Sequence, residues 1–476
     1  MRAIAGVLCG LSIVSLAAAA LAGDRPNVIL FLSDDQGYGD LGYHGNPQAQ
    51  TPAMDAFARQ AVEWTQFYVS PVCAPTRASL MTGRWSFRSG VCDVFGKACW
   101  MDPAEVTIAD ALHRSGYATG IFGKWHLGDD AEHAPGRRGF DETLVHRGPA
   151  MRRYFDPILL HQGQEKQFSG YCTDIFVDHA IDFVRRNRSR PFFLYLPTNL
   201  IHTPLIVADE AKRAFAARGL DDKTAAIYAM LKNVDDNFGR LLAELARLGL
   251  DDNTLVILLA DNGPCAGSTT AQRFMAGLRG LKGTVYENGI RVGCFMRWPK
   301  GFAGARKIDR IAANIDIMPT VLAACEAERP KQVTLDGVNL LPLLRNSSAA
   351  WPDRTLFFQW DSGQEARRGH AFAVRNQRYK LVQANGMDAP NQKHIRDRYA
   401  ELCRWQGRGD LTIEGPPRYE LFDIASDPGE TKDLAAECPE IVAEMRKQYE
   451  AWFDTTWTRR RGADRPKTVE GAQPAN

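Results

Sequence analysis

The sequence predicts an α/β fold: a large, mostly parallel β-sheet sandwiched by helices, followed by a smaller C-terminal antiparallel α+β subdomain. Three observations carry this reading. Unbroken apolar runs such as "VILFL" and "LVILLA" read as strands buried on both faces. They alternate with stretches whose apolar residues recur at helical spacing. Beyond about Trp351 the texture changes to short strand-like pieces with no long helix between them.

Taken in order, "NVILFLSDD" from Asn27 is a strand closed by acids. A helix is expected from about Thr51 to Trp64, with Thr51 as N-cap and Pro52 at the first helical position. "YATGIFGKW" reads as a second strand, "DIFVDHAIDFV" as a helix and "PFFLYLP" as a third strand. Ala208 to Leu248 is helical with a break around Gly219, and "TLVILLADNG" is a strand ending again in an acid and an amide. "TLFFQW", "AFAVRN", "RYKLVQA" and "RYELFD" are the short strands of the second unit, followed by a helix near Glu437 to Phe453.

Bulk numbers exclude some functions. A formal net charge of +2 over 476 residues gives no long-range attraction for phosphates, so a nucleic-acid binder is not expected. Arg2, the apolar run Ala3 to Leu21 and the small residues at Ala20-Leu21-Ala22 read as a secretory signal over residues 1–22. Removal is expected rather than stable membrane insertion, giving an exported protein, periplasmic or secreted. Export permits disulfides. Ten cysteines less Cys9 leave nine, an odd number, and Cys92 and Cys99 are close enough to bridge.

In open parallel sheets, ligands bind beyond the carboxyl ends of the strands. Asp34 and Asp35 end the first strand, Asp261 and Asn262 end "TLVILLA", Lys124 and His126 follow "YATGIF", and His202 follows "PFFLYLP". Three carboxylates and an amide oxygen suit a hard cation, Ca²⁺ or Mg²⁺, better than zinc. The plainer reading is that Asp-Asp and Asp-Asn-Gly are turn formers capping strands. His44, His113, His133, His146, His161, His179 and His370 are read as ordinary surface or core histidines. Lys282 sits in the glycine-rich stretch "LRGLKGTVYENGIRV", where an ammonium could reach an anion.

The stretch "SPVCAPTRASLMTGR" poses a separate question. Pro75 suits a first helical turn, which leaves Cys73 near a helix N-terminus, where a reactive thiolate is a first reading. Hard-cation ligands and a thiolate are an odd pairing, however. An oxygen nucleophile beside a metal is chemically more coherent.

These residues resemble those of the type I sulfatases of the alkaline phosphatase superfamily. Cys73-x-Pro75-x-Arg77 with its Ser-Leu-Met-Thr-Gly-Arg tail is similar to the family signature. "NVILFLSDDQGYGDLG", "GKWHLG", "IHTP", "ADNG", "LKGTVYENGIRV" and "YELFDIASDPGETKDLA" follow in family order from about Asn27 to Leu434. The resemblance implies an alkaline-phosphatase-like fold; with the change of texture beyond Trp351 and the Gly, Pro, Lys and Gln of the last residues, this gives a catalytic unit over 23–350, a C-terminal unit over 351–460 and a disordered tail over 461–476. It implies that a maturation enzyme reads Pro75 and Arg77 and oxidises Cys73 to Cα-formylglycine. One Ca²⁺, less readily Mg²⁺, would be held by Asp34, Asp35, Asp261, Asn262 and the modified residue 73. Arg77 would hold that side chain, Lys124 and Lys282 would neutralise sulfate oxygens, His202 with Lys282 would protonate the leaving alcohol, and His126 would take a proton from the hydrate.

The implied activity is hydrolysis of sulfate monoesters, on a carbohydrate since no hydrophobic hairpin marks a lipid or steroid enzyme. The alternatives are a phosphodiesterase or phosphonate monoester hydrolase of the same superfamily, or a catalytically silent protein that binds sulfated glycans. The departure lies between Gly139 and Gly170, which offers no clear equivalent of the sulfate-contacting serine of some relatives. Arg147, Arg152 and Arg153 there read either as a pocket for an acidic sugar or as solvated surface charges, the second being preferred. Trp85, Trp100, Trp360 and Trp405 could stack on sugar rings, although tryptophans more often pack.

Overall fold

Strand β1 (Asn27–Ser33) is buried along its whole length. Side chains alternate across a strand, so Val28, Leu30 and Leu32 enter one core while Ile29 and Phe31 enter another on the opposite face. That two-sided burial is the physical reason for the unbroken apolar run. These positions come from a computed structural model that describes residues 25–457, apart from 332, 352, 361–364 and 385–417. The expected signal over 1–22, the tail over 461–476 and Trp405 lie outside the described residues. Among the described residues no helix is long and apolar enough to cross a membrane.

β1 is central to a ten-stranded sheet. Its parallel heart runs β9 (Thr254–Ala260), β1, β8 (Phe192–Pro197), β4 (Ala118–Lys124) and β5 (Glu142–His146). Beyond β5 the sheet continues antiparallel into β6 (Ile158–His161) and β7 (Gln164–Gln167). Beyond β9 it continues antiparallel through β11 (Cys294–Arg297) to β2 (Val62–Trp64), with β12 (Arg306–Ile308) at the edge. Helices Cys172–Asn187 and Asp222–Arg247 lie against the β1, β4 and β8 core on one face, and Cys73–Thr82 and Ile108–Arg114 on the other.

The helix expected to reach Trp64 stops at Gln60. Val62–Trp64 is taken instead by the sheet, pairing with β11 and β12, and tertiary pairing overrides the local helical pattern. The break near Gly219 falls as expected, between helices Asp209–Ala216 and Asp222–Arg247. Cys92 and Cys99, close enough in sequence to bridge, do not form a disulfide with each other. The Cys99 thiol instead donates to the Gly96 carbonyl at 3.0 Å. The stretch from Gly139 to Gly170 forms β5 and the β6–β7 hairpin at the sheet edge. Its Arg147 pairs with Glu165 at 3.2 Å in solvent, and Arg152 and Arg153 are exposed.

Strands β3 (Phe67–Tyr68), β10 (Arg291–Val292) and β13 (Ala312–Ala313) make a three-stranded sheet. The C-terminal antiparallel sheet has the order β14 (Leu356–Gln359), β15 (Phe372–Arg375), β16 (Tyr379–Gln383), β17 (Tyr419–Asp423). One of its faces packs Phe372, Val374 and Leu381 on helix Pro439–Thr456, with Phe372 stacked on Tyr449 at 3.6 Å. The other face packs Phe358, Val382 and Phe422 onto Tyr68, Tyr286 and Ile290 of the larger unit. Two tryptophans serve packing: Trp85 meets Trp452 edge-on, and buried Trp360 donates its indole N–H to Asp93 at 3.0 Å.

An ionic cluster is sealed at this junction. Lys380 of β16 lies 3.0 Å from Glu287 and 2.9 Å from Glu430, and all three side chains are buried. Burial pushes the Glu430 carboxyl up to about 7 despite the Lys380 ammonium. Burial acts on Glu287 too, but Lys380 and Arg291 outweigh it and hold that carboxyl low.

Candidate active site

The carboxyl ends of β1, β4, β8 and β9 point the same way, so the residues that follow them meet beyond one sheet edge. Two glycines permit the crowding. A Cβ on Gly123, whose φ is +137°, would sit 1.9 Å from the Pro197 carbonyl oxygen; one on Gly263 would sit 1.7 Å from that of Asn288. These glycines flank Lys124 and Asn262. Asp35 and His126 themselves adopt left-handed φ values of 59° and 60°, a strained backbone of the kind found at functional sites.

Helix Cys73–Thr82 enters from one face with all ten residues buried, and Cys73 is its first residue. Arg77 lies one turn on. Its Nη2 donates to Asp261 Oδ2 at 2.7 Å and to Asp34 Oδ2 at 3.4 Å, and its Nη1 donates to the Lys124 carbonyl at 3.0 Å. Lys124 Nζ donates to Asp34 Oδ2 at 2.6 Å, and Lys282 Nζ donates to Asp35 Oδ1 at 2.5 Å. Asn262 Nδ2 donates to Asp35 Oδ1 at 2.7 Å, and the Asp35 backbone N–H donates to Asp261 Oδ1 at 3.1 Å. His202 Nε2 is 3.8 Å from Asp35 Oδ2. All ten residues singled out in the sequence therefore fall in one cluster.

Burial raises the Asp34 carboxyl, but Lys124, His202, Arg77 and Lys282 outweigh it and hold the group well below the carboxylate range. Asp261 goes the other way: burial and the Asp34 charge push it up to about 6 against Arg77 and the two lysines. For Lys282 burial is overcome by Asp35, Cys73 and Asp34, and the ammonium is strongly favoured. Burial also raises the Cys73 thiol, with Lys124 and Lys282 opposing. The thiolate suggested by a helix N-terminus is thus not favoured, because desolvation, joined by the Asp261 and Asp34 charges, outweighs the two lysines.

The histidines are oriented by backbone carbonyls, which can only accept. His126 Nε2 is 2.9 Å from the Val94 carbonyl oxygen, so it carries the proton, and the Nδ1 lone pair faces Cys73 Sγ at 3.4 Å. His202 Nδ1 is 2.6 Å from the Thr203 carbonyl oxygen, which leaves Nε2 toward Asp35. Burial lowers both imidazoles. The Val94 carbonyl and Tyr154, whose hydroxyl donates to the His202 carbonyl at 2.7 Å, escaped the sequence reading because neither has a motif. His146 was read as ordinary, yet it lies in register with Lys124 on the neighbouring strand.

The donor set fits a hard cation. Asp34 Oδ1, Asp35 Oδ2 and Asn262 Oδ1 are buried without a hydrogen-bond partner, and unsatisfied buried oxygens are costly unless something positive meets them. Ligand atoms of Asp34, Asp35 and His202 lie within 4.8 Å of one another.

Comparison with known proteins identifies the family. The sulfatase family model matches residues 26–327, and that of the N-sulphoglucosamine sulphohydrolase C-terminal region matches residues 281–397. Arylsulfatase A of Bos taurus is 31% identical over 94% of this chain and 91% of its own. N-acetylgalactosamine-6-sulfatase of Sus scrofa is 28% identical over 89% and 84%. The crystal structure of Ps i-CgsB superposes with a TM-score of 0.76 at 27% identity, covering 91% of this chain and 93% of that one. The same protein has been solved in complex with k-i-k-neocarrahexaose. On the extent of these matches and the chemistry of its strand ends, the chain belongs to the sulfatase family of the alkaline phosphatase superfamily.

Proposed function

We propose that this sulfatase removes sulfate from carbohydrate monoesters, with residue 73 converted to Cα-formylglycine and one Ca²⁺ bound beside it. The observation that carries the proposal is the His126 Nδ1 lone pair facing the residue 73 side chain at 3.4 Å, beside two buried carboxylates and an amide that each keep an oxygen without a partner. Asp34, Asp35, Asp261 and Asn262 would hold the ion together with residue 73; Mg²⁺ suits the site less well because it demands tighter octahedral geometry. When present, the aldehyde hydrate supplies an oxygen nucleophile and the ion a fixed double charge.

The chain's own groups do the rest. Asp34, Asp35 and Asp261 carry three negative charges, and Arg77, Lys124 and Lys282 carry three positive ones. A divalent ion would then leave a surplus of two. A sulfate monoester with one negative charge, facing a deprotonated nucleophile with another, matches that surplus. Lys124 and Lys282 stand where sulfate oxygens would gather charge, and fixed cations are worth most where charge develops. Arg77 fixes Asp261 and the helix that carries residue 73. His126 Nδ1 accepts a proton from that residue. His202 Nδ1–H is committed to Thr203, so Nε2 is the atom that can carry a mobile proton to the departing alcohol.

Carbohydrate is favoured by the relatives, one of them an N-acetylgalactosamine-6-sulfatase and another solved in complex with k-i-k-neocarrahexaose. We also propose export to the periplasm or medium, encounter with a formylglycine-generating enzyme on the way, and division into a catalytic unit over 23–350 and a smaller unit over 351–460. The test is the mass of the peptide holding Cys73 from active protein, followed by sulfate release over defined sulfated oligosaccharides. Activity from protein whose residue 73 is wholly an unmodified thiol would sink the mechanism.

A further inference from the structure

His146 closes β5, and its Cα is paired with that of Lys124 across a parallel ladder. Paired residues in register project to the same side of a sheet, so the imidazole and the lysine ammonium leave by the same face. The residue is 4% exposed. It therefore stands next to the active-site cluster, beside the Lys124 that pairs with Asp34 at 2.6 Å.

Its two nitrogens are not equivalent. Nδ1 is 3.0 Å from the Arg147 carbonyl oxygen, which can only accept, so Nδ1 carries the proton. Nε2 then presents a lone pair and is buried without a hydrogen-bond partner. Burial also keeps this imidazole neutral, its pKa pushed down to about 3. A neutral acceptor is mismatched to sulfate oxygens, which themselves only accept. It is matched to an O–H group.

We infer that His146 Nε2 is a specificity-determining acceptor for a hydroxyl group carried by the substrate on the carbon next to the sulfate ester. This rests on the sulfatase reading above and adds to it a rule for the alcohol half of the substrate. An orphaned acceptor beside a site rejects an analogue without the hydroxyl more strongly than it rewards the correct one, because the acceptor then stays unpaired.

The test compares matured wild-type enzyme, His146→Ala and His146→Gln on two aryl esters. 4-Nitrocatechol sulfate has a hydroxyl beside the ester, and 4-nitrophenyl sulfate lacks it. The quantity read is the ratio of kcat/KM for the two esters, in which general effects on folding or maturation cancel. In His146→Ala the ratio is expected to fall about tenfold to a hundredfold from its wild-type value, one lost hydrogen bond at a buried acceptor. In His146→Gln, whose Oε1 can accept at similar reach, it is expected to recover in part. A ratio unchanged in His146→Ala, whatever happens to the absolute rates, would mean a structural role only and overturn the inference. Release of no sulfate from either ester by wild-type enzyme with modified residue 73 would instead overturn the hydrolytic reading, and this inference with it.

Discussion

His126 holds its Nδ1 3.4 Å from the Cys73 sulfur because its Nε2–H is committed to the Val94 carbonyl at 2.9 Å. The tautomer is set by a backbone atom from a segment with no recognisable motif. Loss of this base is expected to lower kcat by about 10² to 10⁴ in His126→Ala, the usual worth of a positioned acid–base group. KM should change little, as measured with a nitrophenyl sulfate.

Cys73→Ala should abolish sulfate release altogether. The side chain removed is small and sits at a helix start, so the cost to folding is expected to be about 1–2 kcal/mol. Thermal unfolding beside an activity assay checks both halves. Residual turnover comparable with wild type would exclude residue 73 as the nucleophile.

Arg77 is different because its loss strands charges. It bridges Asp261 and Asp34 with no exposure to water, and removing one partner of a buried ion pair costs about 3–5 kcal/mol. Arg77→Ala should therefore fold poorly, and Arg77→Lys should not rescue it, since one ammonium cannot span the two carboxylates and the Lys124 carbonyl. Denaturant titration of the two variants against wild type measures this.

Calcium should stabilise the folded chain by about 3 kcal/mol at a hundredfold excess over its Kd, and a chelator should reverse the gain. In Asn262→Leu, which removes an orphaned amide oxygen from the cluster, most of this calcium-dependent shift in melting temperature should disappear. An equal shift in both proteins would place the ion elsewhere.

Glu430 gives a pH dependence of stability. Its folded pKa, about 7, lies above the ordinary carboxyl value of 4.5, so the native state binds the proton more tightly than the unfolded chain. The stabilisation is complete below pH 4.5 and is lost as pH rises toward and through 7. Glu287 is lowered and titrates below that window. Glu430→Gln cannot ionise. Its stability relative to wild type should therefore improve by about 2–3 kcal/mol between pH 4.5 and 8. The same unfolding experiment at both pH values tests this, and a difference that does not move with pH would refute the assignment.

Much of this was legible in the sequence for a physical reason. A strand buried on both faces must be wholly apolar, so Asn27–Ser33 and Thr254–Ala260 announce themselves, and the first polar residues after them lie where ligands bind. Cys73 and Lys282 stand out by their local surroundings, but their roles and that of Arg77 come from a family resemblance rather than from any periodicity. Val62–Trp64 was misread because strand pairing with distant residues leaves no local trace. His146 was passed over for a related reason: only the register of β4 against β5 sets it beside Lys124. Carbonyl oxygens such as those of Val94 and Thr203 decide tautomers yet are the same in every residue type.

The complete enclosure of the Cys73–Thr82 helix has a consequence for timing. Cys73, Pro75 and Arg77 are all inaccessible once the chain has closed, with sheet on one side and packed helices on the other. If residue 73 is converted as proposed, the catalyst that alters it would have to reach the segment before this helix is enclosed. On that proposal activation would belong to the unfolded polypeptide, and protein that folded first would keep its thiol out of reach.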